Sequence, residues 1–328
     1  MSSDGATAEL RAREADWKRL EDILARAERR RARRLSDADL LDLPALYRSA
    51  LSSLSVARET SLDLDLVRYL EALSLRAYFF IYGVRTTPGR RLGAFLRRDW
   101  PDAVRSLWRE TLVALLLTLL GVAAGWLLVR ADPIWFEAFV PGDLAGGRDF
   151  SASTAELRGT LYDGGDGGAL GAFATFLFTH NSQVAIFAFA LGFAFGVPTA
   201  LLLLYNGATL GAFLALFASR GLGAELGGWL IIHGSTEIFA IVLAGAAGLH
   251  IGWAVVTPGV RTRLEAARDA GRTAATAMVG VVLMLLAAGL LEGFGRQLVR
   301  HDGLRYAIGL GALGLWLLFF YLPRRRDG

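Results

Sequence analysis

The sequence predicts an all-α, polytopic helical membrane protein of five or six spans with an N-terminal helical cytoplasmic domain, and three observations carry that prediction. Hydrophobic residues make up 54% of the 328 and the mean hydropathy is +0.41, above what a soluble domain ordinarily carries. The apolar residues are segregated, because Arg, Asp and Glu crowd the first third of the chain and thin out after Glu110. From Thr111 onward the apolar runs approach the roughly 20 residues that cross a bilayer. We therefore divide the chain into a cytoplasmic domain over 1–109 and a transmembrane domain over 110–328, the latter with an extracytoplasmic loop at about 131–181.

Taken in order, the N-terminal region predicts three helices. Over 8–34, Leu10, Trp17, Leu20 and Leu24 recur at three-, four- and seven-residue spacings between charges, an amphipathic pattern. Ser36 and Asp39 form a capping-box pattern ahead of a second helix through Leu46, Tyr47 and Leu51, with Pro44 expected in its first turn. A third helix is expected from near Ser61 through Leu66, Tyr69, Leu70 and Leu73 to Gly83 in the left-handed closing position. The start of the chain shows neither the basic nor the apolar region of a signal peptide, so this domain is expected to stay in the cytoplasm.

Residues 90–109 mix arginines, including Arg97 and Arg98, with Phe95, Trp100 and Trp108. That pattern predicts an interfacial helix on anionic lipid, and the positive-inside rule alone also accounts for the arginines.

Spans are expected at 111–129, 182–204, 226–253, 273–291 and 306–322. The stretch 207–218 follows the turn-like pair Asn206-Gly207 and is too short to cross alone, so it is expected as a short span, a re-entrant half or the continuation of a kinked helix past Pro198. Arg261, Arg263, Arg268, Arg272 and Arg324 to Arg326 place both termini in the cytoplasm, and the acid-rich loop lies outside. Six crossings satisfy this, with Arg296, Arg300 and Arg305 on the outer side against the rule. The end of the loop, 169–178, carries Phe173, Phe176 and Phe178 and is expected as a helix lying in or dipping into the outer membrane face.

His233 and Glu237 stand four apart within an apolar run, on one face of a helix. Ionisable groups at membrane depth are costly by a few kcal/mol or more and mark candidate functional sites. A hydrogen-bonded packing pair, ion or proton handling, and part of a metal or hydrolytic site all remain open for them. Asn181 and Asn206 are further candidates for intramembrane polar roles or for helix ends and turns, and His180 is a candidate cap. His250 and His301 have no neighbours in sequence that suggest a ligand set. Gly207-x-x-x-Gly211 and Gly245-x-x-Gly248 permit close helix contact within the chain or in a homodimer.

The chain has no cysteine, which excludes disulfides and thiol chemistry, and its net charge of +4 calls for no nucleic-acid partner. Walker A, dinucleotide-fingerprint, Gly-x-Ser-x-Gly and His-Glu-x-x-His patterns are absent, so no catalytic residue, enzyme class or cofactor is nominated.

Asn181-Ser-Gln-Val-Ala, Tyr205-Asn206-Gly207 with Gly211, and His233-Gly-x-x-Glu237 followed by Ala244-Gly245-x-x-Gly248-Leu249 resemble the stage II sporulation protein M family. Arg13-Glu-Ala-Asp-Trp17-x-x-Leu20 and Leu46-Tyr47-Arg48 resemble its longer bacterial forms, so the likeness covers nearly the whole chain. The resemblance implies an inner-membrane scaffold or assembly protein. Its partners would be cell-envelope proteins or, as in the gene neighbourhoods of the long forms, a MoxR-type ATPase. The reading from the residues alone keeps an ion- or proton-coupled transporter or channel using His233 and Glu237 as the alternative.

Overall fold

The computed structural model describes residues 3–27, 35–59, 63–82, 88–162, 169–299 and 301–322, and within these the side chains of 3–9, 11, 88, 169–177, 233 and 291–298 fall outside the description. Two compact units result, Met1–Arg91 and Leu92–Gly328. The second takes in Leu92 to Arg109, which the sequence groups with the N-terminal domain.

The first unit contains α1 (Ser3–Arg26), α2 (Asp37–Glu59) and α3 (Leu64–Tyr82), each packed on the other two. Trp17, Leu20, Leu24, Leu46, Leu70 and Leu73 meet in one core, as their spacing predicts. The Trp17 indole donates to Ser53 Oγ at 3.2 Å. Ser36 and Asp39 do cap α2 reciprocally, each backbone N–H donating to the other's side chain at 3.2 Å. A hydrogen bond from Arg26, joined by those from Ser36, holds the Asp39 carboxyl below the usual carboxylate range. Because this cap sets the start at Asp37, Pro44 lies in the second turn of α2 and not in the first. Ser61 and Gly83, expected at the ends of α3, lie outside the described residues.

The second unit opens with α4 (Pro88–Ala94), which straddles the boundary, a π-helical turn (Phe95–Asp99) and α5 (Trp100–Ser106). From Leu92 to Ser106 the helical path is continuous through the π-turn, and part of its apolar face is covered within the unit. Trp100, Val104 and Leu107 are buried, and Trp100 packs against Trp316, Phe319 and Phe320 at ring separations of 5.2–5.8 Å. A Cβ at Gly280 would collide with the Trp100 indole, so that glycine makes its seat. Arg97 and Arg98 remain exposed.

Then follow α6 (Trp108–Ala131), the short helices α7 (Ile134–Phe139), α8 (Gly142–Ala145) and α9 (Thr154–Tyr162), and α10 (Ala169–Ala190). A 3-10 turn (Leu191–Phe193) leads to α11 (Val197–Ser219), α12 (Gly223–Val256), α13 (Arg263–Leu298) and α14 (Asp302–Tyr321). Long enough and apolar enough to cross a membrane are α6, α11, α14, Gly234–Val256 of α12 and Arg263–Leu290 of α13. Helix α10, 22 residues long, runs alongside α12 from Asn181 near Glu237 to Gly192 against Gly248.

The expected helix over 169–178 is present as the first half of α10, which continues to Ala190, and one expectation about the region that follows is corrected. The expected span 182–204 is interrupted, because the chain reverses at Leu191–Gly196, where Phe195 and Gly196 take φ of 60° and 75°. Gly196 caps α11 and Pro198 falls in its first turn, a position where the missing N–H is harmless. Asn206 and Gly207 then lie in the middle of one 23-residue helix, and 207–218 is its second half. Asn-Gly is a turn signal in water, but here the lost side chain is used for contact: a Cβ at Gly207 would collide with the Thr118 carbonyl oxygen of α6. Gly211 meets the Val122 carbonyl, while Gly121 and Gly125 of α6 meet the backbone of Leu204 and Ala208.

Contacts within this unit define two ends. At one, His250 Nδ1 lies 2.8 Å from Glu110 Oε1, the Arg263 guanidinium stands 5.9 Å from the Phe195 ring, and Trp100 meets the end of α14. At the other, the segment 132–162 folds over the helix ends. There Arg158 pairs with Glu225 at 3.3 Å, Arg220 donates to the Phe150 carbonyl at 2.7 Å, and Tyr162 donates to Asp302 at 2.8 Å. The start of α6 and the end of α14 therefore share a face. Arg305 breaks the expected charge pattern because it is structural: 2% exposed, it donates to the Val299 carbonyl at 3.0 Å and lies over the Tyr162 ring. Arg296 and Arg300 lie outside the described side chains.

Gly211→Ala is expected to destabilise the protein by about 1–3 kcal/mol through overpacking at a backbone contact. Gly311→Ala, in open space on α14, should be neutral or gain about 0.5–1 kcal/mol. Thermal unfolding in one detergent compares the two, and equal shifts would contradict the α6–α11 contact.

Candidate functional site

Glycine contacts set the depth of the site. In the half of α12 towards the arginine-bearing end, Gly245 packs on Leu203, Gly248 on the Ala188 carbonyl and Gly252 on the backbone of Gly196. Thr199 Oγ1 closes the same region by donating to the Ala188 carbonyl at 2.8 Å. On the face towards α14, the Trp316 indole donates to Thr236 Oγ1 at 3.1 Å and fixes the rotation of α12 beside Glu237. Around residues 226–241 the backbone contact of α12 is with α14, where Gly309 meets the Ile231 carbonyl, and a cavity of about 130 Å³ opens between α10, α11 and α12 beneath the folded loop. That stretch of α12 corresponds to roughly 22 Å of helix.

The cavity gathers residues that the sequence singles out separately. Glu237 is 3% exposed, and its Oε2 accepts a hydrogen bond from Asn181 Nδ2 at 2.7 Å. Asn206, expected at a turn, lines the wall from the middle of α11, and His180 lines it from α10. Glu237 Oε1 is buried and has no hydrogen-bond partner among the described residues. His233 lies on α12 one turn before Glu237, and its side chain falls outside the description. Of the four packing glycines, Gly207 and Gly211 lie in the α6–α11 contact, and Gly245 and Gly248 lie below the cavity.

Three features were not legible in advance. Arg148 belongs to the loop and yet lines the cavity, 8% exposed, donating to the carbonyls of Ala145 and Leu144 at 2.9 and 3.2 Å. Trp229 supplies an aromatic wall. The Glu110–His250 contact joins residues 140 apart, which no local pattern reports. At the rim, burial and the Asp302 carboxylate push the Tyr162 phenol up to about 12, so it remains a donor and latches the loop to α14 across the neutral range.

Chemically, the site is a half-satisfied carboxyl at the foot of a mostly apolar pocket. Among the described residues, no three His, Cys, Asp or Glu side chains stand close enough to hold a metal ion.

This architecture defines a multi-pass helical membrane protein with a small helical N-terminal unit. The chain belongs to the stage II sporulation protein M family, whose family model matches residues 114–295 and so spans the loop, the cavity and the glycine contacts. Residues 10–83 match a second model, a domain of unknown function (DUF8413). No curated protein and no solved structure matches the chain.

Asn181→Ala should leave both Glu237 oxygens without a described donor and cost about 1–3 kcal/mol. Thr257→Ala, which removes only an exposed bond to its own helix, should be nearly neutral. An unchanged unfolding temperature for the first variant would contradict the Asn181–Glu237 bond.

Proposed function

We propose that this chain is a non-enzymatic assembly protein of the bacterial inner membrane, acting as a scaffold that holds partners on either side of the bilayer. The observation that carries the reading is the folded cap at one end of the membrane unit. Phe136, Val140, Leu144, Leu157 and Leu161 share a core with Phe217, Leu222 and Trp229 of the long helices. A segment that needed only to connect two spans would not require a core of its own, whereas an ordered platform can present a surface. Family membership supports the same reading.

In this reading both termini are cytoplasmic, because exposed Arg261, Arg263, Arg268 and Arg272 stand on the face shared by the start of α6 and the end of α14. The partners would be cell-envelope proteins at the cap and a MoxR-type ATPase on the cytoplasmic side, with a homodimer as the assembled form. The rival reading, an ion- or proton-coupled transporter or channel, draws support from Glu237 at membrane depth. Against it, the cavity gives way to the backbone contacts of Gly245, Gly248 and Gly252 on one side.

The chain has no native cysteine, so single-cysteine variants report sidedness directly. Ser151→Cys in the cap should react with an impermeant maleimide in intact spheroplasts, and Ser106→Cys only after lysis. Reaction of Ser106→Cys alone before lysis would reverse the orientation. Crosslinking in native membranes should recover partners specific to the tagged chain. Recovery of nothing beyond an untagged control would overturn the scaffold, and proton flux in proteoliposomes that is lost in Glu237→Gln would establish the rival.

A further inference from the structure

The pocket beneath the cap contains a buried acid for which the described residues provide only half the partners. Glu237 is 3% exposed, Asn181 satisfies Oε2, and Oε1 is buried with neither a hydrogen-bond donor nor an ion-pair partner among the described residues. A carboxylate held away from water without a countercharge is destabilised by several kcal/mol, and a cation that reaches it recovers much of that penalty. The surrounding wall includes Phe217 and Trp229, with Phe213 on the cap side already facing the Arg148 guanidinium at 5.8 Å. Aromatic faces attract cations, most strongly where water is excluded. The carboxylate and the rings thus favour the same kind of guest.

Size narrows the class further. The cavity is about 130 Å³, slightly smaller than the engineered apolar cavity of about 150 Å³ that holds benzene. A hard metal ion would need about six oxygen ligands, and the apolar walls do not offer them. We infer that this cavity is a binding site for a small organic cation, a primary ammonium on an apolar body of about five or six heavy atoms, with its charge at Glu237 Oε1, away from Arg148 on the cap side, and its body against Phe217 and Trp229. The site lies where the cap core and the long helices share Trp229, so a guest would brace the cap against the spans. The inference does not depend on the scaffold reading, since a site of this kind suits a scaffold or a transporter alike.

The test uses the full chain in nanodiscs of neutral phosphatidylcholine at pH 7, with calorimetric titration of n-propyl- to n-hexylammonium and of the matching neutral alcohols. Wild type is expected to bind at least one amine saturably, at least tenfold more tightly than the alcohol of equal length. Glu237→Gln should abolish that preference while leaving the alcohol unchanged, and Leu210→Trp, which fills the cavity and keeps the carboxyl, should weaken every guest. Equal affinity for amine and alcohol in wild type would mean that the carboxyl acts as a neutral group and would overturn the proposal. So would an absence of saturable amine binding. The comparison within wild type decides the matter even if a variant does not fold.

Discussion

The close approach of backbones through glycine is the constraint on which the rest of the membrane unit depends. Lipid tails are as apolar as leucine, so helices in a bilayer gain little from burying apolar side chains against each other and rely on tight contact. Gly121 and Gly125 of α6 face the backbone of α11, while Gly207 and Gly211 of α11 face that of α6, so each helix supplies the hollow that the other fills. The same device recurs where Gly248 of α12 meets the Ala188 carbonyl of α10 and Gly192 of the turn after it, and where Gly309 of α14 meets the Ile231 carbonyl of α12. Helix α12 is thereby fixed on several sides, and Glu237 is held in place between its neighbours.

The position of the site follows from this packing. Where glycines let the helices touch, nothing larger than a side chain fits. One or two turns further towards the cap, Phe213, Phe217, Trp229 and Leu230 replace them and hold the helices apart. Glu237 sits at the transition, close enough to α10 to meet Asn181, with its second oxygen unmet among the described residues. The cap packs over this end of the helices. Arg158, Arg220 and Tyr162 tie it to three different places on the long helices, and reciprocal Ser153–Glu156 capping starts its last helix, with backbone N–H bonds of 2.7 and 3.2 Å.

Much of this was legible in residue pattern, and the errors have physical causes. The helical class, the N-terminal core and the α2 cap depend on local spacing, which a sequence displays directly. Asn206-Gly207 misled because the same glycine serves a turn in water and a helix contact in lipid, and only the partner helix distinguishes them. The reversal at Leu191–Gly196 was hidden because it is built from apolar residues, with Phe193 and Phe195 exposed where a soluble turn would carry polar ones. Asn181, Asn206 and Glu237 were found one by one from their polarity at depth, whereas their convergence on one cavity, and the arrival of Arg148 from the cap, belong to tertiary packing. Gly121-x-x-x-Gly125 is as visible in the sequence as the other small-residue pairs, whereas its contact with Leu204 and Ala208 belongs to the fold.

The account turns on α11 being one unbroken helix held against α6 through Gly207 and Gly211. Amide hydrogen exchange across residues 197–219 of the purified chain in nanodiscs tests this most directly. Continuous slow exchange through Asn206, Gly207 and Ala208, with protection matching that of the facing segment of α6, is the predicted result. Fast exchange confined to residues 205–208 between two protected halves would show a break at the Asn-Gly pair and contradict the account.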